Sequence, residues 1–98
     1  MAGDRDAALV VAGNAAFRTG RFAVAAHDYA RALAHKPDFA VARFNLGLLE
    51  AHTGAGAAGL RDMDRGISLA EAHGMSRAFT ARLRALRAAF ARVPTADA

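Results

Sequence analysis

Histidine and carboxylate side chains are the first candidates for chemistry in this sequence, because they bind metals and transfer protons near neutral pH. Four histidines are present, and none has another ligand at metal-binding spacing: His27, His35, His52 and His73. Asp62 and Asp64 are two positions apart, so their side chains diverge on a helix. We predict no metal site and no catalytic carboxylate pair.

The run GAGAAG at 54–59 has the glycine content of a phosphate-binding loop. Such a loop follows a strand and precedes Lys-Ser or Lys-Thr, and the sequence predicts neither here. Ser68 and Ser76 lack the flanking residues of a nucleophilic serine. Cysteine is absent, which excludes disulfides and thiolate metal sites. We therefore predict a protein that is not an enzyme and binds no cofactor.

A fixed spacing relates two parts of the sequence. The separation of Gly13 from Gly47 equals that of Gly20 from Gly54, and we call it the repeat spacing. In four further pairs at this spacing a small residue matches a small one, or a bulky residue a bulky one: Ala25 and Gly59, Tyr29 and Met63, Ala32 and Gly66, Leu33 and Ile67. Small side chains let helices approach closely, and glycine ends helices. The pattern predicts two successive antiparallel helix pairs.

The sequence resembles the tetratricopeptide repeat (TPR) family, whose unit is a helix–turn–helix of about 34 residues and has the same period. The first repeat matches the family pattern at Leu9, Gly13, Phe17, Gly20, Phe22, Ala25, Tyr29, Ala32 and Pro37. The second matches at 44–47, Gly54, Gly59, Met63 and Gly66, but departs at Gly56, where an aromatic is usual, and at Glu71, where proline is usual. The resemblance covers about residues 6–73. It implies an all-α, TPR-like right-handed superhelix, with about five helices.

The helix signals divide the chain into five parts. We predict a flexible N-terminus at 1–5, hairpins at about 6–39 and 40–74, a C-terminal capping helix at 75–93 and a loose tail at 94–98. Asp4 or Asp6 is expected to cap the first helix, and Asp38 the third. Gly59 and Gly66 each cost about 1 kcal/mol relative to alanine inside the fourth helix. We expect close helix packing to compensate.

The fifth helix carries a narrow apolar stripe. Its members follow steps of four, three, four and three positions: Phe79, Leu83, Leu86, Phe90 and Val93. Ser76 stands where it can cap the start of this helix, and Pro94 prevents its continuation. A repeat array needs a terminal element with a polar outer face. We therefore predict that the fifth helix covers the end of the second hairpin.

In TPR proteins the first helix of each pair lines a concave groove. The resemblance implies these groove positions: Val10, Asn14, Phe17, Arg18, Val41, Phe44, Asn45, Leu48 and His52. The apolar members would form a strip for an extended peptide or a helix, with Asn14 and Asn45 as polar donors along it. The alternative is that these side chains pack against the fifth helix or a second copy of the chain and contact no ligand.

Some TPR proteins hold a terminal carboxylate with a clamp of lysine, arginine and two asparagines. Asn14 and Asn45 match the two asparagine positions of that clamp, whereas Val10 stands where its first lysine belongs. Arg77 or Arg82 from the fifth helix would then supply the missing charge, because a guanidinium matches the geometry of a carboxylate.

Positive charge is concentrated near the C-terminus. The net charge is +4, and the segment from Arg77 onward contains five arginines against Asp97 alone. Arg77, Arg82 and Arg84 are therefore candidates for contacts with an anionic partner. A nucleic acid is one such partner. No aromatic lies on the arginine face, so a solvated surface or an acidic protein partner is the simpler explanation.

These observations predict a non-catalytic protein–protein interaction module, a small scaffold or adaptor that binds a peptide or helix in the groove. The alternative is self-association as a homo-oligomer, since two repeats bury a limited core. A third interpretation is nucleic-acid binding through the last helix, and a fourth is an interaction segment cut from a larger protein. The sequence shows no signal-peptide pattern and no membrane-spanning run, so we expect a cytoplasmic location and no membrane partner.

Overall fold

The computed structural model describes the backbone of residues 2–92 and the side chains of residues 5–92. These residues form five α-helices: α1 (Ala2–Arg18), α2 (Phe22–His35), α3 (Ala40–His52), α4 (Gly56–Ala72) and α5 (Arg77–Ala91). Residues 2–92 contain no strand, and the predicted all-α class is confirmed. The predicted loose tail at 94–98 lies outside the described residues, as does Val93.

Helix α3 is central, because it packs against each of the other four helices. The most extensive helix–helix contacts are between α1 and α2 and between α3 and α4, which form two hairpins. Helix α2 also packs on α3, and α4 on α5, so each hairpin contacts the next element in the chain. Smaller contacts join α1 to α3 and α3 to α5. Helix α3 therefore contacts both α1 and α5, which do not contact each other within the described residues.

The turns inside the two hairpins have the same construction. Gly20 and Gly54 have φ angles of +78° and +102°, a backbone conformation that glycine adopts without steric cost. The turn hydrogen bonds recur at the repeat spacing: Arg21 N donates to Ala16 O at 2.8 Å, and Ala55 N donates to Glu50 O at 2.8 Å. Both helices thus end in the glycine-dependent manner expected from the sequence.

Gly13 and Gly47 pack against equivalent partners in the two hairpins. A Cβ atom added to Gly13 would lie 2.7 Å from Tyr29 Cε1. One added to Gly47 would lie 2.6 Å from Gly59 O and 2.7 Å from Met63 N. Tyr29 and Met63 are themselves separated by the repeat spacing. The spacing seen in the sequence therefore corresponds to a repeated helix–helix contact.

The internal glycines of α4 also lie where two helices touch. A Cβ atom at Gly59 would lie 2.6 Å from Gly47 O, and one at Gly66 would lie 2.7 Å from Phe44 Cβ and 2.8 Å from Phe44 N. These distances leave no room for a side chain. Close packing thus offsets the helix propensity lost at the two glycines, as the sequence predicts.

The core has two parts, one mainly between α1, α2 and α3 and one mainly between α3, α4 and α5. The first contains Val10, Ala16, Ala25, Tyr29, Ala32, Leu33, Ala42 and Leu49. The second contains Ala40, Phe44, Met63, Ile67, Leu69, Ala70 and Leu83. Leu83 is the member that α5 contributes, and Ser76 Oγ caps this helix by accepting a hydrogen bond of 3.1 Å from Phe79 N. Leu86, predicted to be in the buried stripe of α5, is instead 39% exposed.

The predicted starts of α1 and α3 differ from the observed ones. Helix α1 begins at Ala2 and not near residue 6. Asp6 lies within α1, so it does not cap this helix. Its side chain is buried, with Oδ1 3.2 Å from Nδ1 of His35. The N-cap position of α3 is Phe39, which makes no side-chain capping bond. Asp38 instead pairs with His73, with Oδ2 and Nε2 3.3 Å apart.

Candidate functional site

Two adjoining clefts lie where α1, α3 and α5 come together. The α1–α3 cleft has a volume of about 230 Å³ and is lined by Asn14, Phe17, Arg18, Tyr29, Asn45 and Leu48. The α3–α5 cleft has a volume of about 270 Å³ and is lined by Val41, Phe44, Asn45, Leu48, Phe79, Arg82, Leu83 and Leu86. Asn45 and Leu48 line both clefts, so the two form one continuous surface, which we call the groove.

Helix α3 supplies the wall between the two clefts. Val41, Phe44, Asn45 and Leu48 follow one another in steps of three, one and three positions, which places them on one side of the helix. Gly47, on another side, touches α4 at Gly59 and Met63. The close contact with α4 therefore fixes which face of α3 is turned toward the groove.

Asn14 is the centre of a hydrogen-bond network in the α1–α3 cleft. Its Oδ1 accepts one bond from the hydroxyl of Tyr29 and a second, of 3.0 Å, from Nδ2 of Asn45. Tyr29 is 1% exposed, and burial raises its pKa to about 12, so the phenol keeps its proton and remains a donor. The Nδ2 group of Asn14 makes no hydrogen bond within residues 5–92 and remains free to donate to a ligand.

The charged side chains that line the groove are both arginines. Arg18 lines the α1–α3 cleft and Arg82 lines the α3–α5 cleft, and the two clefts share Asn45 and Leu48. Neither forms an ion pair with an acidic side chain of residues 5–92. No acidic residue in the described part of the chain lines either cleft. All charged side chains that line the groove are therefore positive, and its two shared residues are one amide and one aliphatic side chain.

The predicted groove residues fall into three groups. Asn14, Phe17, Arg18, Val41, Asn45 and Leu48 line the clefts at positions that are half-buried or exposed. Phe44 also lines the α3–α5 cleft, but it is only 1% exposed and forms its base. The prediction for Val10 is wrong, because this residue is 6% exposed and belongs to the first core.

His52 lies outside both clefts. Its ring is exposed at the end of α3, with its centroid 5.6 Å from that of Phe17 and 5.2 Å from that of Phe22. The neighbouring Phe17 is a groove residue, so His52 supports one end of the groove from outside.

The three arginines predicted to contact an anionic partner have different surroundings. Arg82 lines the α3–α5 cleft. Arg84 does not reach it, because Nη2 is 2.6 Å from Oε2 of Glu71 on α4. Arg77 is exposed and lines neither cleft. The structure therefore brings one of the three to the groove, and the acidic residue of α4 explains where Arg84 lies instead.

Arg82 was predicted to contact a ligand in the groove, but Tyr29 and the apolar groove residues of α5 were not. Tyr29 was assigned to helix packing alone, although its hydroxyl reaches the cleft. Phe79, Arg82 and Leu86 follow Asn45, Leu48 and His52 at the repeat spacing. Extending this spacing into the fifth helix would have placed Phe79, Arg82 and Leu86 beside the groove.

A second polar cluster lies between α3 and α4, away from the groove. Arg43 Nη1 is 3.7 Å from Oδ1 of Asp62, while Nε of Arg43 and Oε1 of Glu50 are buried without a hydrogen-bond partner in residues 5–92. The pKa of Glu50 is raised to about 7, mainly by burial and further by the neighbouring Asp62 carboxylate. Arg43 and Arg61 act in the opposite direction but do not cancel the rise. No sequence motif predicted this cluster.

The described residues include neither a cluster of metal-binding side chains nor a helix suited to a bilayer. Within that part of the chain, no group of three or more His, Cys, Asp or Glu side chains could hold a metal ion. None of the described helices is long and apolar enough to cross a bilayer. Comparison with protein-family models, curated proteins and solved structures gives no match to this chain.

Proposed function

We propose that this chain is a non-catalytic protein-interaction module that binds a segment of another protein in the groove. The observation that carries the proposal is the pair of adjoining clefts on α1, α3 and α5, in which apolar side chains surround the amides of Asn14 and Asn45. Surfaces that combine apolar area with a few ordered polar groups are typical of peptide-binding sites.

We further propose that the hairpins are two TPR-like repeats that form a short right-handed superhelix. The recurrence of turn hydrogen bonds and of glycine contacts at the repeat spacing supports this arrangement. Phe79 and Leu83 of α5 follow Asn45 and Leu49 of α3 at the same spacing, and both pack on the second core. In this proposal α5 extends the groove as the first helix of a third unit and also covers α4.

A groove variant with a matched control tests the function. Leu48→Glu places a charge where the two clefts meet, whereas Ser68→Glu places one at an exposed position of α4 outside the clefts. Proteins captured from the native lysate by immobilised wild type would be quantified by mass spectrometry. We expect Leu48→Glu to lose the specific partner and Ser68→Glu to keep it, with circular dichroism confirming that both fold. Equal capture by both variants would exclude the groove as the binding site.

Self-association is the second candidate, and the exposed face of α5 favours it. Ala78, Ala81 and Ala85 are exposed. They follow, at the repeat spacing, the α3 positions that α4 covers: Phe44, Gly47 and Ala51. A helix from a second copy would cover this face. Light scattering over a range of concentrations tests this candidate, with Ala81→Arg as the disrupting variant. A wild-type mass that stays monomeric at every concentration would exclude self-association.

Nucleic-acid binding through α5 is less well supported. Arg87 makes two hydrogen bonds, of 3.0 and 3.1 Å, to the carboxylate of Asp64, and Arg84 pairs with Glu71. Acidic residues beside two of the arginines weaken the attraction of this helix for a phosphate backbone. An affinity for DNA or RNA that falls steeply as the salt concentration rises would support this candidate.

A further inference from the structure

We propose that the segment bound in the groove is acidic, with an apolar side chain that fills the α3–α5 cleft and carboxylates on both sides that meet Arg82 and Arg18. This inference rests on the proposed function, since it specifies the chemistry of the ligand for the same groove. It differs from binding of a free chain end, because the carboxylates belong to side chains within the segment.

The α3–α5 cleft is the anchor site. Apart from Asn45 and Arg82, its lining is apolar, and Phe44 closes its base. Leu86 at its edge is 39% exposed, so an apolar side chain remains in water until something covers it. A leucine, methionine or phenylalanine inserted here would bury its own surface and that of Leu86 together.

The two groove arginines favour negative charges in the ligand, on the residues beside its apolar anchor. Arg18 and Arg82 are exposed, lack ion-pair partners within residues 5–92 and line the two clefts that share Leu48. A guanidinium binds a carboxylate through two parallel hydrogen bonds, whereas a lysine in the ligand would be repelled. A segment with an acidic residue on each side of its apolar anchor therefore offers one carboxylate to the arginine of each cleft.

The asparagine pair in the groove fits the backbone of such a segment. Asn14 Oδ1 is already occupied by two donors, so the polar groups that remain at Asn14 are N–H donors. Amide donors suit the carbonyl groups of an extended peptide. Val10, which would have to be a cation in a terminal-carboxylate clamp, is buried in the core. The groove therefore favours an internal acidic segment over a free chain end.

Fluorescence anisotropy with synthetic peptides tests the inference. The probes are fluorescein-labelled, C-terminally amidated peptides with a central leucine and an aspartate two, three or four positions away on each side. In matched peptides the aspartates become asparagine or lysine, or the leucine becomes serine. We expect the acidic leucine peptide to bind best, and to bind about threefold to tenfold more weakly when its carboxylates become amides, as for exposed ion pairs. Serine in place of leucine should also reduce binding about tenfold.

Protein variants link this preference to the groove. Arg82→Gln should reduce binding of the acidic peptide and leave the asparagine peptide unchanged, whereas Arg65→Gln, at an exposed arginine of α4 that lines neither cleft, should alter neither. Equal binding of acidic and neutral peptides, or equal effects of the two arginine variants, would overturn the inference. Binding only of peptides with a free terminal carboxylate, or competition by a DNA oligonucleotide, would do the same.

These outcomes are distinct from failure of the proposed function. If Leu48→Glu abolishes capture of a native partner while acidic peptides show no advantage, the groove binds a protein of other chemistry and the acidic motif alone is wrong. If acidic peptides bind equally well to wild type and Leu48→Glu, the groove is not their site and the inference fails, whereas the proposed function fails only if Leu48→Glu also keeps the native partner.

Discussion

Replacing Glu50 with glutamine should make the protein more stable above neutral pH. The carboxyl of Glu50 lies between α3 and α4, where Oε1 is buried without a hydrogen-bond partner in residues 5–92. Burial is the main reason why its pKa rises from 4.5 to about 7, and the Asp62 carboxylate adds to the rise. Arg43 and Arg61 oppose the rise but do not cancel it. The folded protein therefore holds this carboxyl in its neutral form until near pH 7.

The sign and size of the effect follow from proton linkage. Between pH 4.5 and about 7 the folded chain keeps a proton on Glu50 that the unfolded chain has released, so stability falls as pH rises through this window. Each pH unit in the window lowers the free energy of unfolding by at most about 1.36 kcal/mol. Because solvent reaches the half-buried side chain and weakens the effect, we expect a total loss of about 1–3 kcal/mol across the window. Below pH 4.5 and above pH 7 the contribution of Glu50 is constant.

Urea unfolding followed by far-UV circular dichroism measures this loss. Wild type, Glu50→Gln and Glu71→Gln would be compared at pH values from about 5 to 8. Glutamine stays neutral at every pH, so the free energy of unfolding of Glu50→Gln should exceed that of wild type by about 1–3 kcal/mol at about pH 8 and by much less at about pH 5. Glu71, an exposed partner of Arg84, is the control and should not reproduce this pH-dependent gain.

The difference between wild type and Glu50→Gln isolates one group, because every other side chain is the same in the two proteins. A difference that stays constant over this pH range would refute the reasoning, since it would mean that Glu50 ionises alike in folded and unfolded chains. A Glu50→Gln protein that is less stable than wild type at the alkaline end would show that the ionised carboxylate is held favourably by Arg43.

Three further variants test a helix–helix contact, a hydrogen bond in the groove and a helix cap. Gly47→Ala should lower the free energy of unfolding by about 2–4 kcal/mol, because the new Cβ would meet backbone atoms of α4 that cannot move aside, and urea unfolding would measure it. Tyr29→Phe removes one of the two donors to Asn14 and should cost about 1 kcal/mol, read as a fall in melting temperature of roughly 4–8 °C. Ser76→Ala removes the cap of α5 and should cost about 1 kcal/mol, with faster amide exchange confined to the first turn of that helix.

The helices and the pairing of hairpins could be predicted because their causes are local. Gly20 and Gly54 adopt positive φ angles that end helices, and the small residues Gly13 and Gly47 mark where a partner helix must come close. Such constraints leave a pattern at fixed spacing that is readable without coordinates. The start of α1 was missed because residues 2–5 carry no apolar periodicity, although they continue the helix.

The differences between the predicted and the observed site come from contacts between residues far apart in the chain. Arg84 was grouped with Arg82 because nothing in their own helix reveals that Glu71 of α4 lies beside Arg84. Val10 was placed in the groove by resemblance, but packing in the first hairpin buries it in the core. Glu50 was not singled out in the sequence, because nothing near it in the chain indicates that its Oε1 atom is buried close to Asp62 of α4. Which side of a helix is covered depends on its neighbours, which spacing alone does not determine.

Positions related by the repeat spacing differ in whether they pack against another helix or line the groove. One position carries a small residue in both α1 and α3, Gly13 and Gly47, and each packs against the next helix of its hairpin. The equivalent residue of α5, Ala81, is also small but is exposed. The next position along the chain lines the groove and changes from amide to aliphatic to guanidinium: Asn14, Leu48 and Arg82. Packing against a neighbouring helix admits only small side chains, whereas a groove position has no such restriction. The scaffold is therefore periodic and the groove is not. A ligand that matches it must present different groups in a fixed order, which a peptide does and a uniform polyanion does not.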